Sequence, residues 1–291
     1  MDKKTVLGVD MGATNIRATK VNNDEKLYVA SVKIENRHSE NDVLQQLIET
    51  IKQVFDPTVQ AIGVGVPSVV DIDRGIVYDV QNIPSWQEVH LKEILEENFS
   101  VPVYVNNDAN CFVLGEKYFG NGQSYQDIIG LTLGTGMGTG LILNNKLYAG
   151  KNCGAGEFGM IPYLDHNYEY YCSGQFFKFE HNREGDEVYL AAQRGEHWAL
   201  KIYADFGSHL GQAINTILFA LDPQIIILGG SVSKGFKFFQ ETMWEAINNF
   251  PFALIRKRLK IIVSQKEHVA LLGAAGLCYE MEEQFDKQVT V

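Results

Sequence analysis

Three glycine-bearing turns each follow a short apolar run of the chain. They are Asp10-Met11-Gly12-Ala13-Thr14-Asn15, the segment Gly134–Gly140 with four glycines in seven residues, and Gly229-Gly230. Glycine permits sharp turns in which main-chain N–H groups approach a phosphate or a flat base. Each turn alone could be an ordinary hairpin or a flexible loop. Three of them in this order favour a nucleotide site built from main-chain donors.

Two aspartates could do chemistry beside such a nucleotide. Asp10 ends the first apolar run, where a carboxylate can hold Mg²⁺ through water, and Thr14 and Asn15 add side-chain donors. Asp108, in Asn106-Asn107-Asp108, lies between a predicted strand and a predicted helix, where it could accept a proton from an alcohol or cap the helix. The two carboxylates are typical of phosphoryl transfer, which needs positioning, charge neutralisation and a base.

Glu157 is flanked by glycines in Gly154-Ala155-Gly156-Glu157-Phe158-Gly159-Met160. A carboxylate in such a turn can accept two hydroxyls at once, which suits a vicinal sugar diol. Asn82, in Gln81-Asn82-Ile83-Pro84, is of a type that commonly forms turns.

The composition excludes several other classes of protein. The 291 residues carry a net charge of −11, with a pI near 5.1, so the overall field repels nucleic acid and anionic membranes. The four widely spaced cysteines are expected to be free thiols. No signal peptide and no apolar run near the roughly 20 residues of a membrane helix are present. We therefore expect a cytoplasmic protein with no nucleic-acid or membrane partner.

Hydrophobic patterns place these residues at the ends of strands. The predicted strands are Thr5–Val9, Ile16–Val21, Leu27–Ile34, Ala61–Val66, Val101–Val105, Ile128–Leu133, Leu141–Leu143, Ile225–Leu228 and Lys260–Val263. The predicted helices are Glu40–Phe55, Leu91–Phe99, Asp108–Tyr118, Glu196–Leu221 and Val269–Glu280. The first three strands are expected to be antiparallel, with Asn22, Asn23 and Asp24 in a turn. A strand, a glycine turn and a second strand open the chain and recur near residue 128, which predicts two related α/β halves.

Together these motifs resemble the ROK family of bacterial sugar kinases and repressors, within the actin-like, hexokinase and Hsp70 superfamily. Asp10–Asn15 and Gly134–Gly140 match its phosphate motifs, Leu228–Ser231 its adenosine motif, Asn106–Asn110 its catalytic motif and Gly154–Met160 its sugar motif. The resemblance covers essentially the whole chain. It implies a two-domain α/β fold of the actin-like ATPase (ribonuclease H-like) class with an interdomain cleft. The small domain would hold residues 1–117 with 269–291, and the large domain residues 118–268.

The resemblance also implies an activity and a set of site residues. The γ-phosphate of ATP would pass, with Mg²⁺, to the 6-hydroxyl of glucose or an N-acetylhexosamine, with Asp108 as the catalytic base. Glu169 would serve the hydroxyls near the anomeric carbon. The implied sugar contacts are Asn82, Asn107, Asp108, Glu157, Met160 and Glu169. The implied nucleotide contacts are Asp10, Gly12, Thr14, Asn15, Gly134, Thr135, Gly136, Gly229 and Gly230. Many relatives are dimers, so a homodimer or another homo-oligomer is expected.

Two departures from the family pattern concern metal and sugar. The family's CxCGxxGCxE segment, which holds structural zinc, is replaced here by Leu164–Gly174. Only Cys153, His166 and Cys172 lie near it, whereas a structural zinc site takes four ligands, so no zinc is expected. Met160 stands where the family usually has a histidine that ligates zinc and contacts the sugar. Methionine offers a soft apolar wall instead of a hydrogen bond, which leaves the identity of the sugar open.

Other functions remain as alternatives at this stage. Repressors of the family carry an N-terminal helix-turn-helix, for which the residues before Asp10 leave no room, and no basic recognition helix appears elsewhere. A non-catalytic sugar or nucleotide sensor is disfavoured because Asp10 and Asp108 are both present. Among kinases, N-acetylmannosamine, fructose and allose are alternative acceptors.

Overall fold

The computed structural model describes residues 4–12, 14–22, 27–80 and 82–289, and residues 283–289 by their backbone alone. Ala13 of the first glycine turn, Asn23 and Asp24 of the predicted hairpin, and Gln81 lie outside the described residues. All site residues expected from the sequence, from Asp10 to Gly230, fall within the described ranges.

Strands and helices follow one another along most of the chain. The strands are β1 (Val6–Met11), β2 (Asn15–Val21), β3 (Val29–Lys33), β4 (Ala61–Val66), β5 (Val69–Asp71), β6 (Ile76–Tyr78), β7 (Glu88–Val89), β8 (Val103–Asn107), β9 (Ile128–Leu133), β10 (Met137–Leu143), β11 (Lys146–Leu147), β12 (Pro162–Tyr163), β13 (His166–Asn167), β14 (Ile225–Gly229) and β15 (Lys260–Val263). The helices are α1 (Glu40–Lys52), α2 (Leu91–Phe99), α3 (Asp108–Phe119), α4 (Tyr168–Tyr171), α5 (Gly185–Gln193), α6 (His197–Leu221), α7 (Phe236–Ile247), α8 (Ala253–Arg258) and α9 (Val269–Val289). Short 3₁₀ turns cover Phe158–Met160 and Val232–Gly235, and a π-helical turn covers Phe176–Glu180.

Two five-stranded sheets have the same strand order. The first is ordered β3-β2-β1-β4-β8 and the second β11-β10-β9-β14-β15. In the first sheet, β1, β2 and β3 are antiparallel, as predicted, and β4 runs parallel to both β1 and β8. In the second sheet, β14 runs parallel to β9 and β15. The predicted repetition of one α/β arrangement is therefore confirmed.

The predicted glycine turn at residues 134–140 is shorter in the structure. Strand β10 begins at Met137, so only Gly134, Thr135 and Gly136 form the turn. Gly140 lies inside the strand, where an added Cβ would come within 2.3 Å of the Ala109 carbonyl oxygen. Glycine is needed there because a strand and the backbone of α3 approach closely, and not because the segment turns.

The central parallel strands are buried over their whole length. Every residue of β4 and of β14 is buried, which is why these strands read as continuous apolar runs and not as alternating ones. Helix α1 covers part of the first core with one apolar face. It is capped by Ser39, whose Oγ accepts a hydrogen bond from the Asp42 N–H at 3.3 Å. Fixed strands of this kind hold the loops at their carboxyl ends in defined positions.

Helix α9 packs against the first sheet and α3 through glycines. An added Cβ at Gly63 would lie 1.8 Å from the Ala274 carbonyl oxygen, and one at Gly273 would lie 1.6 Å from the Cys111 carbonyl oxygen. Both distances are far below van der Waals contact, so the backbones touch at these two points. The contact fixes the position of α3, which starts at Asp108.

The chain groups into two compact units. The first comprises Met1–Ser124, Gly140–Ala155 and Lys266–Val291, and the second comprises Tyr125–Thr139 and Gly156–Gln265. The domain bounds expected from the sequence, 1–117 with 269–291 and 118–268, stay a prediction. Among the described residues, no helix combines the length and the apolar composition that a bilayer-spanning segment needs.

Candidate active site

Asp108 and Asn107 lie at the junction of β8 and α3. Asn107 is the helix cap: its Oδ1 accepts a hydrogen bond from the Ala109 N–H at 2.9 Å, and its Nδ2 donates to the Ser68 carbonyl oxygen at 3.3 Å. Asp108 is half-buried, and its Oδ1 also lies 2.8 Å from the Ala109 nitrogen. Because Asn107 already caps the helix, the capping role that the sequence left open for Asp108 is filled by its neighbour. The N-terminal end of a helix also favours a negative charge.

Gly65 on β4 makes room for this junction. An added Cβ would lie 3.0 Å from the Cys111 Sγ and 3.8 Å from the Asp108 Cα. Cys111 is buried, and burial raises the pKa of its thiol well above the ordinary value, with Asp108 and Asp10 adding further negative charge nearby. The thiol therefore stays neutral beneath the two candidate carboxylates.

Asp10 is the next-to-last residue of β1 and is an acid in a largely buried position. Its side chain is 18% exposed, and its Oδ2 lies 3.5 Å from Arg17 Nη1. Burial raises the pKa of Asp10, while the positive charges of Arg17 and His268 oppose that rise. Arg17 is thus paired with the carboxylate at the strand end. A buried carboxylate at this place is a strong attractor for a cation.

The remaining loop residues of the first unit have simpler surroundings. The Gly12 N–H donates to the Asn15 carbonyl oxygen at 3.0 Å, and the Thr14 carbonyl accepts from the Ile34 N–H at 2.9 Å. The Asn15 Nδ2 donates to Thr14 Oγ1 at 3.4 Å. Asn82 is exposed with a φ of 66°, a left-handed conformation in which asparagine is enriched. The hydrogen bonds hold the first turn closed. Asn82 has the backbone conformation of a turn residue.

A buried polar cluster beside Asn107 was missed by the sequence analysis. The Asn106 Oδ1 accepts from Asn110 Nδ2 at 2.9 Å and from Cys153 Sγ at 3.4 Å. Cys153 has a φ of 56° and immediately precedes the sugar motif, while Asn106 immediately precedes Asn107. The cluster therefore ties the start of one predicted sugar-binding segment to the other. Nothing in the spacing of the two segments, which are more than forty residues apart, signals this contact.

In the second unit, Glu169 closes the second glycine turn. The Gly134 N–H donates to the Gly136 carbonyl oxygen at 3.0 Å, and Glu169 Oε2 accepts from the Met137 N–H at 3.1 Å. An added Cβ at Gly136 would lie 2.4 Å from that same Oε2. No described residue accepts a hydrogen bond from the N–H of Thr135 or of Gly136. Two main-chain donors of the turn are thus available to a ligand.

Glu157 and Glu169 influence each other electrostatically. Glu157 reaches solvent, yet partial burial of its carboxyl group raises its pKa, and the negative charge of Glu169 raises it further. Glu169 Oε1 also accepts a hydrogen bond from Gln175 Nε2 at 2.9 Å. The sequence motifs did not predict this contact. Met160 is 58% exposed and follows Glu157 through a short 3₁₀ turn. The second unit therefore brings the two carboxylates close enough to interact electrostatically.

The third glycine turn borders a pocket of about 680 Å³ in the second unit. Gly229 ends β14 and is buried, and Gly230 has a φ of 83°, where an added Cβ would lie 2.3 Å from the Leu133 carbonyl oxygen. The pocket is lined by Gly134, Thr135, Gly174, Gln175, Phe177, Lys178, Phe179, Glu184, Gly185, Asp186, Tyr189, Tyr203, Ser231, Val232 and Lys234. Gly134 and Thr135 of the second glycine turn and Ser231, which follows the third, therefore line one cavity, together with aromatic, acidic and basic side chains that the motifs did not indicate.

Among the described residues, no group of three or more His, Cys, Asp and Glu side chains is arranged to hold a metal ion. The segment that replaces the zinc motif is packed with rings instead. Tyr163 stacks on Tyr168 at 4.5 Å between ring centroids, and its hydroxyl lies 3.2 Å from His209 Nδ1. Burial lowers the pKa of His209, so the ring is neutral near pH 7. That the chain holds no structural zinc stays a prediction, which metal analysis of the purified protein would test.

Comparisons with known proteins agree with the resemblance found in the sequence. A model of the ROK family matches residues 6–281. A glucokinase of Thermotoga maritima is 28% identical, covering 96% of this chain and 99% of that protein. A xylose repressor of Caldicellulosiruptor bescii is 25% identical, covering 95% of this chain and 78% of that protein.

The fold is shared with solved structures. A ROK family glucokinase from Streptomyces griseus, in complex with glucose and AMPPNP, matches with a TM-score of 0.78 and 27% identity, covering 94% of this chain and 98% of that one. The expected fold class, the actin-like ATPase fold, is thereby confirmed. Since the family model also spans nearly the whole sequence, the chain belongs to the ROK family.

Proposed function

We propose that this protein is an ATP-dependent hexokinase that transfers the γ-phosphate of ATP to the 6-hydroxyl of glucose or an N-acetylhexosamine. The observation that carries the proposal is the place of Asp108, a half-buried carboxylate at the carboxyl end of β8 beside Asn107. The full-length similarity to a glucokinase supports it. Kinases for N-acetylmannosamine, fructose or allose are the nearest alternatives, and a non-catalytic sugar-sensing protein is the alternative of a different class.

The loops fit a nucleotide and a divalent cation. Thr135 and Gly136 offer main-chain N–H groups to phosphate oxygens. The pocket that would take the nucleoside is lined by Gly134 and Thr135 and by Ser231, which follows Gly230. Asp10 would hold Mg²⁺ through water, because its buried carboxylate gains from a nearby cation. The ion would supply neutralisation of the phosphate charge.

Asp108 accepts the proton of the sugar 6-hydroxyl, and Asn107 orients the sugar beside it. The Asn107 amide keeps one N–H for a ring hydroxyl, since its oxygen and its other N–H are held by Ala109 and Ser68. Glu157 binds a vicinal diol, and Glu169 uses its remaining lone pairs for hydroxyls near the anomeric carbon. Positioning and proton removal are the contributions that the protein makes to this transfer.

A coupled assay of ADP release with a panel of hexoses tests the proposal. We expect ATP consumption that depends on added sugar, with one hexose or N-acetylhexosamine far ahead of the others. If a sugar binds but no sugar stimulates ATP consumption, the protein is a non-catalytic sugar-sensing protein. The expected homo-oligomer stays a prediction, which light scattering of the purified protein would test.

Replacing Asp10 with asparagine is expected to abolish activity and to raise stability. Turnover should fall by about 10²-fold or more, because the charge that holds the cation is lost.

The pKa of Asp10 is higher in the folded than in the unfolded protein. The ionised carboxylate therefore opposes folding increasingly as the pH rises above the pKa of Asp10 in the unfolded protein. The pair with Arg17 is partly exposed and offsets at most about 1 kcal/mol. Thermal unfolding of the ligand-free variant at pH 7 should therefore have a higher midpoint than wild type, by an amount that shrinks as the pH falls. A lower midpoint at neutral pH would contradict this.

Replacing Glu169 with glutamine is expected to move the acid limb of the pH profile. Glu157 accepts hydrogen bonds from hydroxyls more strongly when it is ionised. Burial raises its pKa, and the charge of Glu169 raises it further. Without that charge the pKa of Glu157 falls, so kcat/KM for the sugar should persist to lower pH than in wild type, whatever the loss at the plateau. The matched control is Glu245→Gln, an exposed glutamate on α7, which should leave the limb in place. An acid limb at the same pH in Glu169→Gln as in wild type would mean that the charge of Glu169 does not affect the ionisation of Glu157.

A further inference from the structure

A cavity of about 550 Å³ lies beside β8, at the outer edge of the first sheet. The residues that line it come from β8, α2, α9, the turn between β5 and β6, and β11 with the loop that follows it. All of them belong to the first unit, so the cavity is complete within it. A volume of this size is typical of a small-molecule site. None of the sugar and nucleotide contacts expected from the sequence lines this cavity.

The edge of β8 leaves main-chain groups open toward the cavity. Strand β8 pairs only with β4, where the Ile62 N–H donates to the Pro102 carbonyl oxygen at 2.9 Å. Alternate residues of a parallel strand bond the same neighbour, so the N–H and C=O of Val105 point away from β4. The outward N–H of Val103 donates to Glu96 Oε1 at 3.0 Å, whereas no described residue accepts from the Val105 N–H. Val105 therefore offers one donor and one acceptor on the open side of the sheet.

Asn106 adds a buried side-chain donor to the same wall. It is 3% exposed, and its Oδ1 accepts from the Asn107 N–H at 2.8 Å, from Asn110 Nδ2 at 2.9 Å and from Cys153 Sγ at 3.4 Å. Its Nδ2 has no hydrogen-bond partner among the described residues. A buried amide that lacks a partner for its N–H groups gains free energy from a ligand that supplies an acceptor.

The rest of the wall combines apolar side chains with charged ones. Glu96 and Glu280 accept main-chain hydrogen bonds at 3.0 Å each, from the chain itself. Lys151 forms an exposed contact with Asp73 at 3.5 Å, and Lys92 forms no ion pair with another described residue. Lys92 is therefore the charge that is most open to a ligand. The apolar part of the wall includes Leu147, Ala149, Leu277 and Met281.

We propose that this cavity binds an N-acyl amino acid with an apolar side chain, and that its occupancy strengthens sugar binding at Asn107. Two extended residues that face each other exchange two N–H···O bonds, and a single acylated residue can do so with Val105. Its other oxygens accept from Asn106 Nδ2 and the Lys92 ammonium, and its side chain packs on Leu147. The cavity thus receives a donor, several acceptors, a negative charge and an apolar group, which this class of molecule combines.

The effect on the sugar follows from the second contact of Asn106. The Asn106 Oδ1 holds the main-chain N–H of Asn107, and Asn107 is the proposed sugar ligand beside Asp108. A ligand that fixes the Asn106 side chain through Nδ2 therefore also orders Asn107 before the sugar arrives. Since less ordering is left for the sugar to cause, the two molecules bind with positive cooperativity.

Calorimetric titration of the ligand-free protein with N-acetyl-leucine tests the site. We expect saturable binding of one molecule per chain. Removal of the amide, in 4-methylpentanoate, or of the carboxylate, in N-acetyl-leucine N-methylamide, should weaken binding about fivefold to tenfold in each case. The peptide Ala-Ala-Leu has the same amide and carboxylate on a longer chain. Tighter binding of this peptide would make a peptide terminus the source of the ligand, and weaker binding would make it a free acylated amino acid.

Leu147→Trp fills the cavity and should weaken the binding of N-acetyl-leucine by about tenfold or more, because the larger ring takes the space of the ligand. The matched control is Lys146→Trp on the same short strand, since Lys146 is exposed and does not line the cavity. It should bind N-acetyl-leucine as wild type does. Thermal unfolding of both variants shows that they are folded, and the analogue series on wild type needs no variant.

The cooperativity is measured as the Kd of the sugar with and without saturating N-acetyl-leucine. The Kd should fall about fivefold in wild type and in Lys146→Trp, and should not change in Leu147→Trp. Absence of N-acetyl-leucine binding, or equal binding by Leu147→Trp and wild type, overturns the site. Binding that leaves the Kd of the sugar unchanged overturns the role of Asn106. If N-acetyl-leucine binds but no sugar supports ADP release, the kinase proposal fails and the cavity keeps its ligand.

Discussion

Asp108→Asn is expected to lower kcat by about 10²- to 10⁴-fold, the contribution typical of a positioned general base. Asparagine keeps the size and most of the hydrogen bonding of the side chain but cannot take the proton from the 6-hydroxyl. The cap of α3 is supplied by Asn107, so the fold should be retained. Sugar binding, followed by tryptophan fluorescence or calorimetry, should change little, which places the loss in the chemical step.

The control for this experiment is Asp73→Asn in the same unit. Asp73 is 83% exposed and makes only a surface contact with Lys151, so its loss should leave kcat unchanged. Thermal unfolding of both variants should match wild type within a few degrees. An Asp108→Asn enzyme with more than about a tenth of wild-type turnover would remove Asp108 from the role of base.

Gly273→Ala is expected to destabilise the protein by at least about 3 kcal/mol, a large part of the 5–15 kcal/mol typical of a folded domain. The added methyl group would lie 1.6 Å from the Cys111 carbonyl oxygen and 2.6 Å from the Gly115 nitrogen. Both atoms are backbone of α3, so no side-chain rotation can relieve the overlap. The helices α3 and α9 must separate, and Asp108 at the start of α3 moves with them. Denaturant unfolding and the yield of soluble protein measure the effect.

Gly276→Ala, one turn further along α9, is the matched control. Its added methyl group would meet the edge of the Tyr118 ring at 3.2 Å and Leu114 Cβ at 3.6 Å. A ring can move by a few tenths of an ångström, and alanine is favoured over glycine in a helix by up to about 1 kcal/mol. Its unfolding free energy should stay within about 1 kcal/mol of wild type. Equal stability of the two variants would mean that α3 and α9 are not in backbone contact.

Much of this fold was readable from local patterns. The bounds of Leu91–Phe99, Ile128–Leu133 and Lys260–Val263 agree with the structure because each segment has one clear apolar period or run. The glycine turns were predicted because glycine adopts backbone conformations that other residues rarely adopt. The ends of α1 and α9 were less predictable, since α1 ends at Lys52 ahead of Phe55, and α9 continues well beyond Glu280. Exposed polar residues near a helix end leave its length undecided.

The parts of the candidate site that were not predicted from the sequence depend on contacts between distant segments. Gln175 holds Glu169, and Cys153 meets Asn106, but neither pair has a recurrent spacing in the sequence. The ring pair of His166 and Tyr170 forms only because the short strand β13 leads directly into α4. Of the tyrosines in this segment, Tyr168 is buried and Tyr170 is partly exposed.

The shared strand order of the two sheets has a consequence for the evolution of charge at their turns. In the first sheet Asp10 pairs with Gly65, and in the second Thr132 pairs with Gly229 at the corresponding place, two residues before Gly12 and Gly134 respectively. If one ancestral unit was duplicated, its copies have diverged at this position into an acid and a neutral hydroxyl. The acidic copy became suited to attract a metal, while the neutral copy can receive an anion without repelling it, so a single exchange of side chain divides two tasks between twin loops.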